Sequence, residues 1–233
     1  MRKSSKVQSQ RARKPAAARP VSARRRRPTA PYHHGALREA LLDAAERILE
    51  RDGLSGLTLR AVAREAGVSH AAPTHHFGDR TGLVSELAAI GFRQFNAAMA
   101  AACDAGSSPM QQALARPKAY VAYAQAHPGM YGLMFRTERL DYSRPALNQA
   151  ADASFGGLAR AIGAMRQENI PPQALTMEQG ATIARAWSLI HGFTMLLLDG
   201  RLKGILDRLP EGTTAEALLD AMLKSTIPKP PPS

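Results

Sequence analysis

From residue 37 to residue 225 apolar side chains recur at three- and four-residue spacing, the period of an amphipathic helix, and no alternating β-branched run marks a strand. The first stripe, Leu37, Leu41, Leu42, Ile48 and Leu49, predicts a helix ending at Gly53. A shorter stripe of Leu59, Val62, Ala63 and Ala66 follows Thr58, whose hydroxyl suits an N-cap, and stops at Gly67, which can take the left-handed conformation that ends a helix. Ser69 is then a candidate N-cap for a two-turn helix over 70–76. Pro73 falls in its first turn or just past it, where a missing N–H costs least. Asp79 caps the next helix, which the pattern carries to about Cys103.

Turn chemistry over 104–109 (Asp-Ala-Gly-Ser-Ser-Pro) ends that helix. Beyond it the pattern predicts a helix within 110–127, where Pro117 marks a kink or the true start, and a break at His127-Pro128-Gly129. A short apolar piece over 130–135, a helix over 145–169 stopped by Ile170-Pro171-Pro172, one over 177–202 and a last over 214–225 complete the set. The class is all-α. The expected organisation is a tail over 1–31, a three-helix domain over 32–80, a second helical domain over 81–227 and a frayed end over 228–233, the boundary falling inside the helix that starts at Asp79. Apolar residues make up 45% of the chain, enough for a core, and no apolar run reads as long enough to span a membrane. From Ala186 to Leu198 the pattern is apolar nearly all round, apart from Ser188, His191 and Thr194, so that helix has to be covered on every side. One face is expected in its own domain and another against a second subunit.

The short pair at 58–76 has the form of a helix-turn-helix, which places its second helix in the DNA major groove. Here the chain resembles the TetR-type transcriptional regulators. The resemblance rests on the run from Leu37 to Gly53, Leu57-Thr58, the run Val62-Ala63-Arg64-Glu65-Ala66-Gly67-Val68-Ser69, His76-Phe77 and Arg80. The remainder resembles the family's C-terminal domains in helical layout, with Trp187, His191 and Gly192 similar to a Trp-His-Gly signature of one subgroup. The resemblance implies that Thr58 and Arg80 hold DNA phosphates from helix N-termini, and that His70, Ala71, Thr74 and His75 lie nearest the base edges or flanking phosphates. Arg60, Ser69 and His76 complete the expected DNA-facing set. Thr74 stands where the family usually has a tyrosine, which keeps a hydroxyl donor and loses reach. The resemblance also implies a homodimer, with Ala217, Leu218, Ala221 and Met222 joining the 177–202 helix in a four-helix seam. A small-molecule effector is implied in the C-terminal domain.

Aromatic residues are 5% of the chain, and half of the twelve lie between 92 and 135. Phe92, Phe95, Tyr120, Tyr123, Met130, Tyr131 and Met134, with Trp187 and His191 one helical turn apart, are therefore the candidate effector pocket. Ordinary core packing is the competing reading of the same residues.

The net charge of +12 points to nucleic acid less than it first suggests. Of 31 basic residues, eleven lie in residues 1–31, where no acid occurs, so the rest of the chain is almost balanced against its 19 acids. The tail is Arg-, Ser- and Pro-rich, and as an arm it would add non-specific phosphate attraction or enter the minor groove. It contains no apolar core of a secretory signal. No His-Glu-x-x-His, Cys-x-x-Cys, P-loop or Gly-x-Gly-x-x-Gly occurs, and the lone Cys103 has no evident base, so neither an enzyme, a metal site nor a cofactor is expected. The overall expectation is a ligand-responsive regulator, most simply a repressor, acting on double-stranded DNA in a prokaryotic cytoplasm and nucleoid, with no membrane role. Two alternatives stay open: a DNA-coating protein driven by the tail, and a ligand-binding helical protein that no longer reads DNA.

Overall fold

The computed structural model describes residues 34–103 and 106–225. The basic tail and the frayed end expected at 228–233 lie outside them. Among the described residues the regular structure is helical throughout. The elements are α1 (His34–Gly56), α2 (Leu59–Glu65), α3 (Ala71–Phe77), α4 (Arg80–Ala101), α5 (Pro109–Ala126), α6 (Pro128–Met134), a 3-10 turn at Thr137–Arg139, α7 (Pro145–Arg166), α8 (Met177–Leu198), α9 (Lys203–Leu206) and α10 (Ala215–Ser225).

Local chemistry explains most of the boundaries. Helical backbone in α1 breaks at Gly53 (φ 68°, ψ −175°), the stop read from sequence. Thr58 Oγ1 accepts from Ala61 N at 3.1 Å and Asp79 Oδ1 from Gly82 N at 2.7 Å, so both expected caps form. Four boundaries differ from expectation. His70, in helical conformation, precedes α3 directly and no side chain caps it, so Ser69 is not its cap. A capping box closes the start of α5, with Ser108 Oγ accepting from Gln111 N and Gln111 Oε1 accepting from Ser108 N. The helix runs on through Pro117, which leaves the Ala113 carbonyl without its helical donor. α7 ends at Arg166 because Gln167 turns left-handed (φ 55°). α8 stops at Leu198 rather than Leu202: Gly200 takes φ 71°, and the Arg201 and Gly200 amides fold back on Leu196 O and Leu197 O at 2.8 and 3.0 Å.

α1 to α4 enclose one end of the main core, where Leu41, Ile48, Leu49, Leu57, Val62, Phe77, Leu83 and Leu87 are buried. α4 carries this core onward through Phe92 and Phe95, packing on α7 and against α5 and α6. Two glycines on α4 permit close approach, one to backbone and one to a side chain. A Cβ on Gly82 would sit 2.0 Å from Phe77 O, and one on Gly91 would sit 2.7 Å from Met130 Sδ. A smaller apolar cluster, Ala159, Ile162, Ile170 and Ile183, forms apart from the main core between α7 and α8.

α8 is the exception to the inside–outside rule. Trp187, Met195 and Leu196 are all about two-fifths exposed. By length and apolar composition it could cross a membrane, contrary to the expectation that no run is long enough, and most of it is not buried within the chain. Core and interface helices of soluble proteins have the same composition.

Candidate functional sites

The turn between α2 and α3 is set by Gly67, whose φ of 68° puts it in the left-handed region and lets the Val68 amide reach Ala63 O at 3.0 Å. α3 is rooted by two buried side chains, Pro73 and Phe77. Its opposite face holds Ala71, Thr74 and His75, all exposed, with His70 exposed at its start. This is the three- and four-residue spacing of a single outward face. Thr58, Arg60 and Ser69 are exposed beside it. Thr58 Oγ1 uses a lone pair on Ala61 N, which leaves the hydroxyl proton to donate outward. His76 is half-buried on the inner side, edge-on to His75 (5.5 Å between ring centroids) and tilted against Phe77 (6.2 Å).

Arg80 has a structural duty that the resemblance did not imply. Its side chain is half-buried and committed inward: Nε donates to Leu57 O at 2.8 Å and Nη2 to Leu54 O at 2.5 Å. These bonds brace the segment joining α1 to α2 and occupy the Nε and Nη2 edge of the guanidinium, leaving Nη1 as its outward donor.

The second site is a cavity of about 1030 Å³ between α4, α5, α7 and α8, walled from both apolar clusters. Five of the nine pocket candidates line it: Phe92, Phe95, Tyr120, Met134 and Trp187. The other four do not. Met130 is fully buried against Gly91, and the Tyr123 hydroxyl donates to Gly91 O at 3.1 Å, so both belong to the α4–α6 crossing. Tyr131 is fully buried, and it stands with His191 behind the wall that Tyr120 forms. The whole α7 wall was missed in sequence, including Phe155, Leu158, Ile162 and Met165, as were Arg116 on α5 and Arg185 on α8.

Behind the wall, Tyr131 Oη lies 2.8 Å from His191 Nδ1, and Tyr120 Oη lies 3.1 Å from both. Burial lowers the His191 pKa, raises Tyr120 to about 12 and raises Tyr131 further, so all three are neutral near pH 7. The three polar atoms thus close a triangle of hydrogen bonds among neutral groups. A buried polar network satisfied in this way is rigid. It holds Tyr120 as a fixed wall, with Phe95 edge-on at 5.1 Å between ring centroids.

Two family models match the chain: "Bacterial regulatory proteins, tetR family" over residues 41–87, and "Tetracyclin repressor-like, C-terminal domain" over residues 112–224. The first spans the helix-turn-helix, the second the helices around the cavity. Over 47 residues the chain is 45% identical to the HTH-type transcriptional regulator BetI of Burkholderia thailandensis, a match covering 20% of this chain and 24% of that protein. The similarity to this curated relative thus spans about a quarter of its length. Over 84% of this chain and 96% of the other, the fold superposes with a TM-score of 0.67 and 34% identity on a Rhodococcus sp. RHA1 protein of unknown function. A tetR family transcription regulator from Shewanella sp. PV-4 shares the fold at a TM-score of 0.59 and 19% identity, over 82% of this chain and 97% of that one.

Proposed function

The chain belongs to the tetR family of bacterial regulatory proteins, and on that premise we propose that it is a sequence-specific, ligand-responsive transcriptional repressor acting as a homodimer on a palindromic operator. Family membership points to a regulator rather than an enzyme. The observation that carries the reading is the polarity of α3. Pro73 and Phe77 root one face in the core, while His70, Ala71, Thr74 and His75 stand free on the other. A seven-residue helix with no packing duty on its outer face suits entry into a major groove. Ala71 offers a methyl for thymine, and Thr74 and His75 offer hydrogen-bonding groups for base edges or phosphates.

The exposed apolar end of α8 supports the dimer. Met195 and Leu196, adjacent near the C-terminal end of α8, are both exposed, and a second copy would cover them. Dimerisation matches the DNA chemistry, because two half-sites one helical turn apart supply specificity that one short helix lacks. The cavity is the effector site in this reading, and a bacterial cytoplasm is the compartment.

Selection of bound DNA from a genomic fragment pool, with the full chain at near-physiological salt, tests the proposal. Enrichment of one palindrome is the expected result. Retention of all fragments alike, collapsing as salt rises, would instead make the protein a coating factor driven by the basic tail. No retention at all would leave a ligand-binding protein that no longer reads DNA.

A further inference from the structure

We propose that the cavity between α4, α5, α7 and α8 takes an anionic amphipath, a long apolar body ending in one oxyanion head, with Arg116 holding the head. The inference rests on the reading of this cavity as the effector site, and it concerns the chemistry of the ligand. Phe92, Phe95, Met134 and Ile190 are buried and give the inner wall no polar partner to offer. Such a surface accepts hydrocarbon. At about 1030 Å³ the space is at the upper end of small-molecule sites, so the hydrocarbon is large.

The charge on the wall is predominantly positive. Four arginines line the cavity against a single acid, Asp152. Arg166 is neutralised from outside by Glu168 and Glu178, at 2.6 and 2.5 Å. Arg116, Arg160 and Arg185 have no carboxylate within ion-pair distance among the described residues. Arg160 and Arg185 are exposed and solvated, whereas Arg116 is half-buried. Its Nη1 donates to Gly157 O at 3.1 Å, and its Nε is buried with no acceptor. A guanidinium withdrawn from water with a donor unmet and no counter-ion is costly to keep, and an incoming oxyanion supplies both. The remaining polar groups make no such demand. Ser154 Oγ donates to Asn96 Oδ1 at 2.6 Å and Asn96 Nδ2 to Ala150 O at 3.1 Å, so that pair is already bonded within the wall.

Trp187, the chain's one tryptophan, lines the cavity and reports directly on its occupant. The test is a fluorescence titration of the full chain, without DNA, with four probes sharing a dodecyl body: dodecanoate, dodecyl phosphate, dodecanol and dodecyltrimethylammonium. At least one of the two anions is expected to saturate at about ten-fold or more lower concentration than the alcohol and the cation, the scale of one charge-assisted hydrogen bond. The anion that binds more tightly identifies the head group. Arg116→Gln is expected to raise the Kd of that anion about ten-fold while leaving dodecanol unchanged, and Arg116→Lys to restore part of the loss. Unchanged dodecanol binding also shows that the variant is folded with its cavity intact. The cation binding as tightly as either anion would overturn the proposal, as would an anion indifferent to Arg116→Gln or no saturable response from any probe. Because the titration contains no DNA, its failure is separate from a failure of operator selection.

Discussion

Arg80→Ala separates two roles that look alike in sequence. The first position of a helix after an Asp cap is where a cation meets a DNA phosphate, yet here the guanidinium donates to Leu57 O at 2.8 Å and Leu54 O at 2.5 Å. Removing it takes a charged donor from two carbonyls at the junction of α1 and α2, of which Leu54 O keeps the Leu57 amide at 3.3 Å. Hydrogen bonds from a charged donor contribute about 1.5–3 kcal/mol each, and the low end applies to a half-buried pair, so the cost is about 3 kcal/mol. In a chain of this size each kcal/mol moves the melting point by roughly 2–4 °C, giving a fall of roughly 6–12 °C by circular dichroism. Arg80→Lys keeps the charge but cannot reach both carbonyls, and it is expected to fall between. Operator affinity measured well below the melting point should retain its salt dependence. If Arg80 were a phosphate ligand, melting would stay put while affinity fell for every sequence and the salt slope dropped by about one. That pattern would refute the bracing role.

Gly91→Ala drives a methyl group to 2.7 Å from a fully buried Met130 side chain, and is expected to cost about 1–3 kcal/mol by urea denaturation, with no change if the α4–α6 crossing is looser than described. His191 is buried neutral with its pKa below 6.5, while the unfolded chain titrates near 6.5. Stability is therefore fully present above pH 6.5 and is lost as pH falls through the folded value; His191→Gln should flatten that part of the stability profile, and an unchanged slope would exclude the histidine as its source. Leu196→Glu places a charge on the exposed apolar end of α8, and if the proposed dimer is seated there the variant is expected to sediment as a monomer with weakened operator binding; a dimer that survives it has its seam elsewhere.

What was legible in sequence was local punctuation. Gly53, Thr58, Gly67 and Asp79 act through their own backbone or the next turn, and each does in space what its residue type predicts. Misreadings came where a residue of the right type had a competitor nearby. Ser69 looked like a cap, but His70 takes helical φ/ψ and starts the helix without one. Gly200 lay inside an apolar stripe and was read through, though its left-handed conformation closes the helix. The bracing role of Arg80 was illegible for a different reason: its partners lie 23 and 26 residues earlier, beyond any local pattern. The cavity was half legible on the same grounds. Phe155, Leu158, Ile162 and Met165 on α7 sit at helical spacing and read as core, because periodicity says which face is apolar and not whether a facing helix fills it.

The DNA-facing and cavity-lining halves are joined by more than the shared length of α4. The Glu50 carboxylate at the far end of α1 accepts from Gly129 N and Met130 N, both at 3.0 Å, so the first turn of α6 is tied to the helix that supports the recognition pair. Ser85 Oγ on α4 accepts from Asp141 N at 2.8 Å, and Arg144, just before α7, donates to Phe77 O at the end of α3 at 3.3 Å. These ties meet the elements that bound the cavity. α6 carries Met134, α7 forms the wall the sequence did not reveal, and α4 supplies Phe92 and Phe95. A ligand that spreads α7 from α4 strains the Arg144 contact on α3. One that shifts α6 pulls on Glu50. Either way the free energy that moves the recognition helix comes from contacts made at the cavity, and DNA held in place must oppose ligand entry by the same amount. If the proposed effector and DNA sites are both real, the Arg116 site and the outer face of α3 are two ends of one equilibrium, with α1, α4, α6 and α7 as the rigid parts between them.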